Sequence, residues 1–354
     1  MHSKKKILVA PLNWGLGHAT RCIPVIEALE NQGYEPIIAS DGAALALLKK
    51  EFPWLTSLEL PSYMNDYSQN GRMFKLKLLL QMPGIFRAVR RENAIITQLV
   101  KQQQLAGIIS DNRLGVYSKE IPSVFITHQL NVLTGNTTWL ATMIYRKYVK
   151  KHNECWIPDV TNSPNLSGRL GHVEDEESLQ LKYIGPLSRL HKKALEKKYN
   201  LMVLLSGAEP QRALLEKLLR EKLAGYEGRV LFIRGVVEDE EVMTVCGNIT
   251  FYNFMNTPSL EQAFNESEMV LCRSGYTTIM DLAKLCKKAF FIPTPGQYEQ
   301  EYLAKKLKRS GLVPYAKQDA FRIEDLQKAD LYKGLKNMGN DIKWKDLFRL
   351  FEGK

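Results

Sequence analysis

Several things are scarce in this chain of 354 residues, and each scarcity excludes something. No run approaches the roughly 18 uninterrupted apolar residues that a membrane span needs. The five cysteines, Cys22, Cys155, Cys246, Cys272 and Cys286, are odd in number and scattered, with no CxxC pair. That argues against a disulfide framework or a zinc site and for a reducing, cytoplasmic setting. Lys4-Lys5-Lys6 followed by an apolar run imitates the start of a signal peptide. Asn13, Gly15, Gly17 and His18 cut the run short and no small-residue cleavage site follows, so a leader is not expected. A GxxxxGK[ST] phosphate loop is missing. A G-x-G-x-x-G fingerprint is incomplete, because Thr20 stands where the third glycine belongs.

Acidic charge is also short. The formal net charge is +11, which favours an anionic partner without choosing between nucleic acid, a membrane surface and a phosphate-bearing substrate. At 45% hydrophobic and 25% charged, the chain has enough apolar residues for more than one core, and its length suits two domains.

Short apolar runs alternate with helical periodicity along the chain. Residues 5–11 read as a strand, 12–18 as a glycine-bearing turn, 19–32 as a helix and 35–40 as a second strand. This is a βαβ unit and implies a parallel sheet. Further strands are expected at 57–60, 105–110 and 122–127. A second series starts near Asn200, with strands at 201–205, 229–234, 249–252, 269–273 and 289–293. The expected organisation is a first Rossmann-like domain over 1–183 and a basic linker with Gly185-Pro186 over 184–199. A second Rossmann-like domain follows over 200–338, then a terminal helix over 339–354 placed to pack back on the first domain.

Three turns carry candidate chemistry. In Gly15-Leu16-Gly17-His18, glycine lets backbone approach a ligand, and the helix start that follows offers N–H groups and partial positive charge. A plain tight turn would read the same way. His18 has a side chain suited to taking a proton from a hydroxyl near neutral pH. Asp41, closing the second strand, stands where a ribose-binding carboxylate would sit in a nicotinamide-dependent enzyme. The second turn spans Arg273-Ser274-Gly275-Tyr276-Thr277-Thr278, with Thr278 and Asp281 loosely matching a capping box. The third, Pro293 to Tyr302, sets Gln297, Gln300 and Glu301 at a helix start, with the donors and acceptors that sugar hydroxyls need.

In this order and spacing the three turns resemble those of GT-B glycosyltransferases of the family 28 type. The Gly15-x-Gly17-His18-Ala19-Thr20-Arg21 version is similar to a less characterised group of that fold. The resemblance implies two Rossmann-like doubly wound domains facing a cleft, with a nucleotide-sugar donor, a UDP-sugar in particular, and no metal or other cofactor. It assigns Gly15, Gly17 and His18 to the acceptor and donor diphosphate. Arg189 goes to the nucleotide, and Ser206 with Gly207 to a second glycine turn. Ser274, Gly275 and Thr277 go to the diphosphate, Asp281 to the ribose, and Gln300 with Glu301 to the sugar, with Arg273 and Gln297 as further donor-binding candidates. The chain departs from the pattern at Glu209-Pro210 and at Asp281, where glutamate is usual. The implied reaction is an inverting transfer with His18 as base, and Asp111 and His128 as the alternatives.

Two stretches interleave basic and apolar residues: 72–91, with six basic residues and no acidic one, and 137–151. Such interleaving suits an anionic headgroup boundary and a lipid-linked acceptor, with the protein peripheral at the inner face of the membrane. Ordinary core helices with basic outer faces give the same pattern. The competing readings are a UDP-sugar 2-epimerase of the same fold, a nicotinamide or flavin oxidoreductase, and a non-catalytic membrane- or nucleic-acid-binding protein. A nucleic-acid partner is not expected, because no recognition module is visible.

Overall fold

The alternating pattern becomes two parallel-sheet α/β domains. The computed structural model describes residues 4–63, 74–102, 105–133, 138–174, 177–236, 238, 240–335 and 342–352. The chain divides into one unit of 1–161, 169–187 and 341–354 and another of 162–168 and 188–340. The division falls inside the segment read as a linker.

In the first unit β1 (Lys6–Pro11), β2 (Glu35–Ser40) and β3 (Ser57–Glu59) lie on one side of a parallel sheet. Beyond β1 come β4 (Gly107–Asp111), β5 (Ser123–Ile126), β6 (Glu154–Ile157) and β7 (Leu181–Tyr183), in the order β3-β2-β1-β4-β5-β6-β7. The winding direction reverses between β1 and β4. In such sheets ligands bind beyond the carboxyl ends of the strands at this reversal. Helix α1 (Gly17–Asn31) follows β1 and α2 (Gly42–Glu51) follows β2; α3 (Phe74–Lys101) precedes β4 and α4 (Thr138–Val149) precedes β6. Leu8, Ala10, Ala39, Ile96 and Ile108 form one fully buried core, since every strand of a covered parallel sheet is apolar on both faces. The C-terminal segment packs on this unit. Tyr34 meets the Phe348 ring edge-on at 5.8 Å, and the Phe351 ring fills the space beside Gly107.

The second unit has the order β10-β11-β9-β8-β12-β13. Its strands are β8 (Tyr199–Leu204), β9 (Val230–Ile233), β10 (Met243–Cys246), β11 (Ile249–Tyr252), β12 (Ser267–Cys272) and β13 (Lys288–Phe291). All pair in parallel except the β10–β11 hairpin. The winding reverses between β8 and β12. Helices α5 (Gln211–Leu223), α6 (Thr257–Glu266), α7 (Tyr276–Lys284) and α8 (Tyr298–Arg309) connect these strands, and a short α9 (Trp344–Phe348) returns to the first unit. Strands β6, β7 and β10 were not expected. β7 has three residues, and β10 is a wholly exposed edge whose apolar residues lack alternating burial.

Candidate active site

In the first unit the reversal point brings the end of β1, the start of α1 and the end of β4 together. Gly15 turns the chain at φ +74°, a left-handed conformation that costs glycine nothing, and a Cβ there would meet only open space. The N-cap residue Leu16 supplies no side-chain cap to α1, and the first turn holds no acidic residue. The positive end of the helix therefore receives no anion from its own first residues.

His18 and Arg21 lie three apart on α1 and so share a face. Both reach Asp111, the last residue of β4. Arg21 Nε donates to Asp111 Oδ2 at 2.5 Å and Arg21 Nη2 donates to Oδ1. His18 Nδ1 lies 2.9 Å from Asp111 Oδ1 and 2.8 Å from Arg21 Nη2. Asn112 Nδ2 also donates to Asp111 Oδ1 at 3.1 Å, from a left-handed backbone at φ +61°. Tyr145 donates to Asn112 Oδ1 and its hydroxyl lies 2.9 Å from Thr127 Oγ1, which ties α4 to the cluster. The Arg21 guanidinium, backed by His18, outweighs burial and holds the Asp111 carboxyl below the usual carboxylate range. Burial, then the Arg21 charge, lowers the His18 pKa, so the ring is neutral at pH 7.

These contacts separate the three expected base candidates. Asp111 is fully buried and spent on Arg21, so it positions other groups. His128 Nδ1 lies 3.2 Å from Arg21 Nη1. A guanidinium only donates, so His128 accepts there and carries its proton on Nε2. His18 keeps 17% of its side chain exposed, whereas the Asp111 side chain is wholly buried. Sequence reasoning left Arg21 out of the site, although its three-residue spacing from His18 was a signal. Asn112 and Tyr145 carried none.

Asp41 does not serve as a ribose carboxylate. Its oxygens accept from Arg113 Nη1 at 2.6 Å and from Asn13 Nδ2 at 3.1 Å, while Arg113 Nε donates to Glu92 at 2.5 Å. This buried brace occupies the group that the nicotinamide reading required.

In the second unit the reversal point offers the loops after β8 and β12. Gly275 is the N-cap of α7 and provides no side-chain cap. Helix α7 starts two residues before Thr278, so the Thr278–Asp281 capping box does not form and Asp281 lies in the second turn. Ser188 Oγ donates to Asp281 Oδ1 at 2.6 Å. Burial pushes Asp281 up to about 6, against the Ser188 hydrogen bond and the nearby Arg189 charge. Asp281 and Arg189 thus belong to one electrostatic neighbourhood, and Ser188 is a member that sequence did not point to. Thr277 is half-buried in the first turn of α7.

Other expected ligand groups are spent internally. Arg273 is 1% exposed and donates to the carbonyls of Ile292, Pro293 and Gln211 and to Gln318 Oε1. It braces the loops and does not reach outward. Ser274 Oγ donates to the Gln300 carbonyl at 2.8 Å. Gln297 caps α8 by accepting from Gln300 N at 2.5 Å. Gln300 Oε1 accepts from Thr294 N at 2.9 Å, and Glu301 Oε1 from Gly296 N at 3.0 Å. These amides and the carboxylate rigidify the loop before α8. Ser206 and Gly207 are exposed, but Glu209 Oε2 accepts from Ala213 N at 3.1 Å and supplies the start of α5 with its own anion.

The two basic stretches differ in how much is described. Arg72, Met73 and Thr137 lie outside the described residues, as do the side chains of 74–82. On α4, Trp139 is 69% exposed and Leu140 and Met143 are exposed beside it, so this is not an ordinary core helix. Among the described residues, no helix is long and apolar enough to cross a membrane.

Comparison with known proteins follows the same division. Residues 201–342 match the Glycosyltransferase family 28 C-terminal domain. The UDP-N-acetylglucosamine–N-acetylmuramyl-(pentapeptide) pyrophosphoryl-undecaprenol N-acetylglucosamine transferase of Glaesserella parasuis serovar 5 is 25% identical over 337 residues. That alignment covers 92% of this chain and 88% of the relative. An uncharacterized glycosyltransferase of Methanopyrus kandleri is 20% identical over 306 residues, covering 80% and 84%. Among solved structures, a UDP-glucosyltransferase from Polygonum tinctorium superposes with a TM-score of 0.65 at 12% identity, covering 99% of each chain. MurG of Acinetobacter baumannii superposes with a TM-score of 0.51 at 14% identity, covering 92% and 89%.

Proposed function

We propose that this chain, a GT-B glycosyltransferase whose second domain belongs to family 28, moves a sugar from a nucleotide diphosphate to the hydroxyl of a lipid-linked or glycolipid acceptor. The preferred donor in this reading is a UDP-sugar such as UDP-N-acetylglucosamine, supported by the names of the relatives. One observation carries the chemistry: a neutral, partly exposed His18 held against a buried Asp111 that Arg21 keeps ionised.

In this reading Asp111 Oδ1, and not Arg21 Nη2, is the hydrogen-bond partner of His18 Nδ1, so the proton sits on Nδ1 and Nε2 is bare. That nitrogen takes the acceptor hydroxyl's proton as the oxygen attacks the anomeric carbon. The bond from that carbon to the diphosphate oxygen breaks, and the electron pair leaves on the nucleotide diphosphate. Configuration inverts. In this reading Arg189 is the candidate for stabilising the departing charge, and no metal takes part. The exposed apolar face of α4 with Arg146 and Lys147 supports a peripheral contact with an anionic membrane.

The test is product analysis with labelled UDP-sugars and a membrane extract. Transfer of label to lipid is expected, and free nucleotide or interconverted sugar without an acceptor product would instead favour the epimerase reading. His18→Ala is expected to lower turnover by about two or more orders of magnitude, and near-normal turnover would reject His18 as base.

A further inference from the structure

A basic cavity lies in the second unit, away from the loops described above. Its volume is about 240 Å³, and Lys192, Lys193, Lys197, Lys287, Lys288 and Lys333 all line it. The topology fixes where it is. Strands β8, β12 and β13 are neighbours and run in parallel. Lys197 precedes β8, Lys287 immediately precedes β13, and Ser267, whose carbonyl Lys287 meets, opens β12. The turns assigned to the donor follow the other ends of these strands. A strand rises about 3.3 Å per residue, so six residues of β12 put roughly 20 Å between the two places.

Its charges are poorly balanced. Lys193 pairs with Glu261 at 2.6 Å and Lys288 pairs with Asp330. Lys197 donates to the Asn265 carbonyl, a neutral acceptor. Lys287 is only 6% exposed, and its ammonium donates to the Ser267 carbonyl at 2.7 Å. Among the described residues Lys192 and Lys333 make no ion pair. The one carboxylate lining the cavity, Glu268, accepts from Asn200 at 3.3 Å. A buried cation without an anion is costly, and proteins ordinarily remove that cost with a partner. Burial, then Lys197 and Lys192, pushes the Lys287 amine down to about 7, as expected where positive charge is uncompensated.

We infer that this cavity is a binding site for a small anion carrying two or more phosphates, separate from the donor site. Six lysines lining a cavity of this size match clustered phosphate charge better than a single carboxylate. The same chemistry is offered by a soluble oligophosphate and by the headgroup of an anionic phospholipid.

The test uses the full chain and two triple variants. Lys192→Gln/Lys197→Gln/Lys333→Gln removes exposed lysines of the cavity. Lys49→Gln/Lys217→Gln/Lys222→Gln removes the same charge from exposed helix positions elsewhere. Each protein is titrated calorimetrically with inorganic tripolyphosphate and sedimented with phosphatidylglycerol vesicles at moderate salt. At least a tenfold loss of affinity in the cavity variant, with the control variant near wild type, is expected for one probe or both. The probe that responds names the source. Equal losses in both variants, or no binding of either probe to the wild type, would overturn the site. UDP-sugar turnover in the cavity variant is expected to stay near wild type, so failure here leaves the transferase reading standing.

Discussion

The starts of α1 and α5 occupy equivalent places, each following the strand beside its sheet's reversal point, and they are finished in opposite ways. Before α1 the chain reads Gly15-Leu16-Gly17-His18, and the N-cap residue Leu16 supplies no side-chain cap. Before α5 it reads Ser206-Gly207-Ala208-Glu209-Pro210, and the Glu209 carboxylate bonds Ala213 N and Arg212 Nε. A helix start holds about half a positive charge and unpaired N–H groups whatever its sequence. What differs is whether the chain supplies the anion. At α5 it does, so that turn adds stability and has little left for a ligand. At α1 it does not, and the nearest carboxylate, Asp111, is consumed by Arg21. A glycine turn at a reversal point is therefore only a possible anion site; the charge of the next few residues decides.

The largest way to break this contrast is to disturb Asp111. Asp111→Asn leaves Arg21 buried without its anion, at a cost of about 3–5 kcal/mol in stability, and removes the group that orients His18. Turnover is expected to fall by about two to four orders of magnitude at a temperature where the variant is still folded, as judged by circular dichroism. Its pH dependence sharpens the point. The lowered His18 pKa means more acid is needed to protonate the base, so the acid limb of kcat/KM is expected to have its midpoint below 6.5. The same shift subtracts from stability as pH falls from 6.5 towards the folded value, because the unfolded chain binds that proton first. Asp111 has the complementary sign: its lowered pKa stabilises the fold above about pH 4, and that contribution disappears in stronger acid. A midpoint above 6.5 would put another group in the base role.

A smaller change makes α1 resemble α5. Leu16→Asp places a carboxylate at the N-cap of α1. The helix is expected to gain about 0.5–1 kcal/mol or stay unchanged in thermal unfolding, since the N-cap favours aspartate. KM for a phosphate-bearing substrate is expected to rise about tenfold, or about 1.4 kcal/mol, from repulsion at the same spot. An unchanged KM would mean that no substrate anion visits α1.

Much of the architecture was legible because a covered parallel strand is a nearly continuous apolar run. Residues 35–40 and 249–252 show the expected strands with the same limits as observed. β7 and β10 escaped because a three-residue strand and an exposed edge leave no such run. Within the candidate site, sequence located the turns but not the direction of their side chains. His18 lies in the first turn of α1 beside Arg21, while Asp281 lies in the second turn of α7 beside Ser188 and not at the helix start that the spacing suggested. Gln300 and Glu301 are drawn to backbone N–H groups of their own loop, and Arg273 and Ser274 to backbone carbonyls between 19 and 62 residues away, a demand that local spacing does not reveal. Arg113 and Asp41 show the same limit at longer range, since they are 72 residues apart.

The smallest prediction concerns α5 itself. Glu209→Gln keeps the side chain's shape and removes its charge at the helix start. Glu209 is half exposed, so its ion pair with Arg212 contributes little, and most of the loss comes from the helix-start interaction. The expected cost is about 0.5–1 kcal/mol in denaturant unfolding, with donor KM and turnover unchanged, because the carboxylate serves the fold and no substrate. If KM for the nucleotide-sugar instead fell severalfold, Glu209 would have been repelling the donor, and the start of α5 would belong to the site after all. The two helix starts would then differ only in degree, and the stronger anion site would have to be identified from binding data on Leu16→Asp and Glu209→Gln side by side.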